Sequence, residues 1–205
     1  NATDFAGNQK IFNMSQFEID NLPNATIILP AQNTNVSGNM QVNVSVNSSN
    51  LKVLSVNLTI SNNTGNATGM IPMNISIGTF NISYRNATFD TTTLRDGYYN
   101  LSVNATTQGT NTQITANVSI IIDNTGVNVS LVTPANNTNT SASSISVQVT
   151  VNDSLSGVGT VDAQLRSQTG NTGTRQSLSL ASGTIYSGTW SVTYTLPATN
   201  DIYNV

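Results

Sequence analysis

The chain has 205 residues, of which 7% are charged, a net charge of -3, and neither cysteine nor histidine; disulfides, thiolate or imidazole metal sites and any catalytic scheme built on Cys or His are thereby excluded. Six Lys and Arg spread over that length form no basic patch for nucleic acid, no apolar run approaches the roughly 20 residues of a membrane-spanning helix, and no secretion signal is visible. Polarity comes instead from 31 Asn and 54 Ser and Thr, 85 of the 205 residues.

The chain opens with Asn1-Ala2-Thr3, a turn at Gly7-Asn8, a period-2 segment and then Ile19-Asp20-Asn21. The same succession comes back later as Asn104-Ala105-Thr106, a turn around Gly109, a second period-2 segment and Ile122-Asp123-Asn124. Residues 1–21 are therefore expected to be the terminal strand region of a domain in a neighbouring copy. Next, Asn24 to Ser37, NATIILPAQNTNVS, returns at Asn128 to Ser141 as NVSLVTPANNTNTS, with Pro30 against Pro134 and Asn33 against Asn137 at a step of 104 residues. A repeat of that length is a duplicated domain and not a short solenoid unit. It divides the rest into units at 22–125 and 126–205.

In the first unit the apolar residues alternate: Met40, Val42, Val44, Val46; Val56, Leu58, Ile60; Met73, Ile75, Ile77; Ile82, Tyr84; Leu101, Val103; Ala116, Val118, Ile120, Ile122. Period 2 sends each set to one face of a strand. Thr, Val and Ile favour strands, while Asn62 to Gly69 and Asp96-Gly97 supply turns. Short strands with one apolar face each bury those faces only against one another, so two sheets must pack face to face. An all-β, immunoglobulin-like sandwich is expected.

The second unit repeats the scheme. Ile145, Val147, Val149 and Val151 follow the Met40 series one residue out of step, then come Val161, Ala163 and Leu165, and Thr169-Gly170-Asn171 answers Thr64-Gly65-Asn66. Trp190, read as a core aromatic, stands where Phe89 stands. Phe89, Tyr98, Tyr99 and Trp190 all fall at positions that the alternation assigns to the core or its border. The unit reaches Tyr203-Asn204-Val205, the counterpart of Tyr99-Asn100-Leu101, with its final strand still to come. That strand is expected from outside the chain: in Lys10 to Asp20, Ile11, Phe17 and Ile19 share one face, and setting Asn1 after Val205 rebuilds the motif two residues short. Strand exchange between copies and a covalent array with a two-domain period both fit.

The Pro-Ala pairs after a leucine at Leu29-Pro30-Ala31 and at Leu131 to Ala135, then Phe89-Asp90-Thr91-Thr92 leading through Leu94 and Asp96-Gly97 to Tyr99, then Ala2-Thr3-Asp4 with Ala6-Gly7-Asn8, and a closing Asp-Asn-Thr at Asp123 to Thr125, resemble the immunoglobulin-like repeats of bacterial and archaeal cell-surface proteins. The first unit departs from it at Thr107 to Asn111, and the second has no F-D-T-T. The resemblance implies a structural subunit or repeat of a surface-layer stalk, pilus or other extracellular filament, with other copies of itself as partners and no membrane insertion by this segment.

Asn-X-Ser/Thr occurs nineteen times, at Asn1, Asn13, Asn24, Asn35, Asn43, Asn47, Asn57, Asn62, Asn66, Asn74, Asn81, Asn86, Asn100, Asn104, Asn117, Asn128, Asn136, Asn139 and Asn152, more than twice what this composition yields by chance. In a strand the acceptor and the hydroxyl residue share a face, and the residue between them is often apolar: Val44, Leu58, Ile75, Ile82, Leu101, Val118. N-linked glycans on an extracellular, cell-surface chain are expected, with Asn43, Asn57, Asn74, Asn100 and Asn117 the most outward acceptors; so many sequons among so few charges lean towards an archaeal surface.

The nine carboxylates show no paired arrangement for general acid/base work, and no cofactor or enzymatic activity is expected. Calcium at the domain junctions is possible at Asp20 and Asp123 with the following asparagines, although one carboxylate per junction is thin for an ion with six to eight ligands. The alternative function, an adhesin or carbohydrate-binding module on a stalk, calls for an exposed aromatic platform, whereas aromatics are 6% of the chain.

Overall fold

The computed structural model describes residues 2–11, 21–49, 51–79, 82–114, 117–168, 173–198 and 201–205. The chain is all-β: among these residues there is no α-helix, only one 3-10 turn at Thr91–Thr93. A hairpin comes first, β1 (Ala2–Thr3) and β2 (Gln9–Lys10). Then follow β3 (Asn24–Leu29), β4 (Thr34–Val36), β5 (Asn39–Asn47), β6 (Val53–Asn62), β7 (Gly65–Asn66), β8 (Ile71–Pro72), β9 (Asn74–Gly78), β10 (Ile82–Asp90), β11 (Gly97–Thr107), β12 (Thr112–Ile114) and β13 (Val118–Ile122). The later strands are β14 (Asn128–Thr133), β15 (Ser144–Asn152), β16 (Asp162–Ala163), β17 (Arg166–Ser167), β18 (Gln176–Ser177), β19 (Ser179–Gly183), β20 (Ser187–Thr195) and β21 (Tyr203–Asn204).

In the first unit, β3-β5-β10-β9 form one sheet and β4-β13-β11-β6-β7 the other, with β12 on β11 and β8 on β6. This is the strand order of an immunoglobulin-type sandwich, in which the first strand changes sheets part-way; after Pro30 the chain does so, and β4 pairs in parallel with β13. Met40, Val42, Val44 and Val46 meet Val56, Leu58, Ile60, Leu101, Val103, Ile120 and Ile122 in one core, all buried. Tyr99 is buried too. Its hydroxyl donates to Arg95 O at 2.8 Å, four residues back, the tyrosine corner that fixes entry into this strand of the sandwich.

The pairing corrects the inward reading of Ile75, Ile77, Ile82 and Tyr84. Met73 is buried, and its N–H donates to Val56 O at 2.9 Å in one sheet. The chain then crosses to the other sheet, so the period does not carry through into β9, an edge strand exposed along its whole length. In β10 the register sets Ser83 opposite Val46 and Arg85 opposite Val44. Directly opposed residues share a face, so Ser83 and Arg85 point into the core, and Ile82 and Tyr84 point to solvent. Tyr98 is likewise exposed, not at the core border, because its neighbour Tyr99 takes the inward position.

In the second unit, β14-β15-β20-β19 form a sheet, with the short pairs β16–β18 and β17–β21 beside it. The counterparts of β5 and β10 lie 105 residues on, for instance Val44 opposite Arg85 and Val149 opposite Trp190. Trp190 therefore stands where Arg85 stands, and Tyr194 where Phe89 stands. Setting Trp190 against Phe89, a step of 101, is therefore four residues off, whereas the step of 105 for Ile145 to Val151 holds. Trp190 is buried with Val149, Val151, Val158 and Leu178, as expected of a core aromatic. A separate small cluster gathers Val147, Leu165 and Tyr194.

β21 corresponds to the first residues of β11: Asn204 lies opposite Arg166 as Asn100 lies opposite Ser61. Among the described residues, none stands in the second unit where the rest of β11, β12 and β13 stand in the first. The effect on burial is large. Ala25 on β3, over which β11 and β12 pass, is 8% exposed, whereas its counterpart Val129 is 54% exposed. Ile27 packs on the first core; its counterpart Leu131 is 51% exposed.

Candidate functional site

A cleft of about 480 Å³ opens in the second unit between β14 and the β16–β17 segment, lined by Val129, Leu131, Val149 and Val205 together with Asp162 and Arg166. Its walls are the strands whose counterparts in the first unit are covered by β11 and β12. An exposed apolar sheet face is suited to receiving a strand.

The hairpin at the start of the chain repeats the pairing of β11 with β12. Ala2 lies opposite Lys10 and Thr3 opposite Gln9, as Ala105 lies opposite Gln113 and Thr106 opposite Thr112, a constant step of 103 residues. The turns match bond for bond: Asp4 N donates to Asn8 O and Gly7 N to Asp4 O, while Thr107 N donates to Asn111 O and Thr110 N to Thr107 O, all at 3.0 Å. Gly7 has φ 88° and Thr110 φ 66°, so both turns place a left-handed residue at the same point. The Asp4 carboxylate is held within the turn by Ala6 N and Asn8 N, each at 2.9 Å, and by Asn8 Nδ2 at 2.8 Å. The Asn8 bonds, chiefly its side-chain amide, keep the Asp4 carboxyl below its ordinary pKa. Unlike the 105–113 hairpin, residues 2–11 are all exposed. Of the residues expected to form the donor strand, Ile11 is exposed; Phe17 and Ile19 lie outside the described residues, as do Asp20, Asn1, Asn13, Asn81, Ala116 and Thr169 to Asn171.

None of the sixteen sequon asparagines within the described residues is buried. Asn74 and Asn117 are exposed, while Asn43, Asn57 and Asn100 are half-buried because they sit on inner strands. Ile75 and Ile82 face solvent, so in those two sequons the middle residue is not the inward one. The pairing also reveals an arrangement that the linear sequence hides. Asn86 lies directly opposite Asn43 on one side and Asn74 on the other, making a row of three acceptors across β9, β10 and β5. Asn57 faces Asn104, Asn24 faces Asn47 and Asn128 faces Asn152. Opposed side chains start about 5 Å apart at Cβ, so sugars on both members of a pair would have to stack or splay.

At the junction of the units, Asp123 Oδ2 accepts from Ser156 N at 3.0 Å, and Asp153 Oδ1 accepts from the same N–H at 3.0 Å as well as from Leu155 N and Gly157 N. The sequence offers Asp123 but gives no hint of Asp153, which is thirty positions away. Asp96 holds the linker from the other side, accepting from Asn124 N at 2.7 Å and Thr125 Oγ1 at 2.5 Å. These carboxylates face N–H and O–H donors, and no group of three metal-ligating side chains occurs among the described residues.

The donors hold Asp153, through Gly157 N first, and Asp96, through the Thr125 hydroxyl first, below the ordinary carboxylate pKa of 3.8. A depressed folded pKa contributes stability above the unfolded value and loses it as pH falls through the folded value. Thermal midpoints should therefore hold steady above about pH 5 and fall below about pH 4, with a shallower fall in Asp153→Asn. Equal slopes in the variant and the parent would remove Asp153 from this role.

No family model and no curated protein matches the chain. Among solved structures it is similar to the fibronectin(III)-like modules of Clostridium thermocellum CbhA, at 15% identity over 84% of this chain and 79% of that one, with a TM-score of 0.37. It is also similar to an engineered protein from a structural genomics consortium, at 16% identity over 49% of this chain, with a TM-score of 0.36; the match spans 20% of that protein's length. The sandwich architecture rests on the strand pairing described above. No helix among the described residues is long and apolar enough to cross a membrane.

Proposed function

We propose that the chain is a structural, N-glycosylated subunit or repeat of an extracellular filament, pilus or surface-layer stalk, propagated head to tail by strand complementation. The observation that carries this reading is the bond-for-bond match of the 2–10 hairpin to the hairpin that covers β3 in the first unit, together with the uncovered Val129 and Leu131 in the second. The hairpin of one copy fills the groove of the next, and its continuation towards Asp20 supplies the last strand. The contact is heterologous, with different surfaces meeting, so it propagates without closing.

The register names a pair to test. Thr106 lies opposite Ser55 in the first unit; Thr3 is the counterpart of Thr106, and Thr160 that of Ser55. Directly opposed strand residues are spaced for a disulfide, and the chain has no cysteine of its own. Under oxidation, Thr3→Cys/Thr160→Cys should give a ladder of covalent oligomers, and a mixture of the two single variants should give a dimer alone. A disulfide formed only within one chain, or none, would remove the complementation reading.

The glycan part rests on acceptors that are all at least partly exposed among the described residues. Native material should weigh well above the 21.6 kDa of the bare chain, and glycopeptide mapping should find the exposed Asn74 and Asn117 more fully occupied than the half-buried Asn57 and Asn104. An intact mass near that of the bare chain would end this part of the reading.

A further inference from the structure

We infer that Phe5 is the anchor of the head-to-tail contact: its ring seats beside Gly157 of a second copy, against Ile185 and Tyr186. The inference rests on the complementation reading above and adds to it the residue that holds the hairpin in place. In the first unit the residue at this point of the turn is Gln108, whose N–H donates to Lys52 O at 2.9 Å. The hairpin tip therefore touches the loop between β5 and β6. The loop between β15 and Val158 has the same length, so Lys52 corresponds to Gly157, and Val53 to Val158, both of these valines being buried. A tip that docks as its counterpart does brings Phe5 to Gly157.

The surface waiting there is apolar. A Cβ on Gly157 would meet Tyr186 Cε1 at 3.2 Å and Ile185 Cδ1 at 3.3 Å, so those two side chains stand directly beside it, 48% and 46% exposed. Phe5 is the most exposed apolar residue of the described chain, with no cover from its own hairpin. The exchange of Gln108 for Phe5 also runs in the direction that physics asks for. A hairpin covalently continuous with its own sandwich needs no anchor at its tip. One arriving from another copy must offset lost translational and rotational freedom, and a buried aromatic at the centre of a small contact is the usual means.

Sedimentation velocity of the full 205-residue chain over a concentration series tests this. Phe5→Gln, which installs the first unit's own residue, should raise the concentration for half-association at least about tenfold, and so should Tyr186→Ser. The two together should weaken association little more than either alone, because both remove the same contact. Both positions are exposed in the single copy, so the unfolding midpoint of each dilute variant should match the parent. Association of Phe5→Gln within twofold of the parent overturns the anchor while leaving complementation standing. A parent that stays monomeric at every concentration, with no Thr3–Thr160 crosslink in the cysteine variant, overturns the complementation reading and the anchor with it.

Discussion

Truncating Ile120 to alanine is expected to destabilise the first unit by about 2–5 kcal/mol. Ile120 is fully buried on β13, opposite Tyr99 on one side and Thr34 on the other. Its replacement removes apolar area and leaves a cavity among strands that cannot close on it from either edge. The comparison that gives this number meaning is Leu131→Ala. Leu131 is 51% exposed, so in a single copy its truncation should cost under about 1 kcal/mol. The two units can be followed separately, because the single tryptophan, Trp190, belongs to the second. In urea, Ile120→Ala should shift the far-UV dichroism transition and leave the tryptophan fluorescence transition in place. A cost below about 1 kcal/mol for Ile120, in the range of a surface change, would mean that the first core is not the tightly packed element described here.

What the sequence discloses and what it hides divide along a physical line. Met40 to Val46 are legible because a strand within one sheet keeps its faces, and the alternation alone decides which side is apolar. Ile75 to Tyr84 are not, because the chain changes sheets after Met73 and because the register of β10 is imposed by β5; no residue of β10 announces that Ser83 and Arg85 point inward. Trp190 is recognisable as a core residue from its size and setting, yet its counterpart is Arg85 and not Phe89, four residues away, because the aromatic match carries no register and the strand pairing does. The repeated Asn-Ala-Thr marks the opening hairpin as a copy, while its identity with the 105–113 hairpin rests on turn bonds and a left-handed residue that differ in sequence, Gly7 against Thr110. The donor segment expected from apolar spacing begins at Lys10; the complementation proposed above extends it to Ala2 to Gln9, a stretch with no such spacing. The rows of facing asparagines and the meeting of Asp123 with Asp153 join residues far apart in the chain, where local pattern carries no signal.

Replacing Arg85 by leucine together with Ser83 by alanine should stabilise the first unit by about 1–3 kcal/mol, against the usual direction of core substitutions. Arg85 is 5% exposed in the core face of β10. Its Nε donates to Ser83 Oγ at 2.9 Å, but its buried Nη2 has no partner. Burial also pushes the pKa of the guanidinium down, the sign that its charge is disfavoured there. A buried donor left unpaired costs its full desolvation, whereas apolar groups of similar shape in its place restore packing without that cost. Removing Ser83 Oγ in the same variant prevents a second orphan from being left behind. The other unit carries an uncharged aromatic ring at this position, Trp190 opposite Val149. In urea denaturation the midpoint of the first transition should rise with its slope unchanged, and the Trp190 transition should not move. A fall in the midpoint would show that the guanidinium has an acceptor in solution and that its charge contributes to the core instead of weakening it.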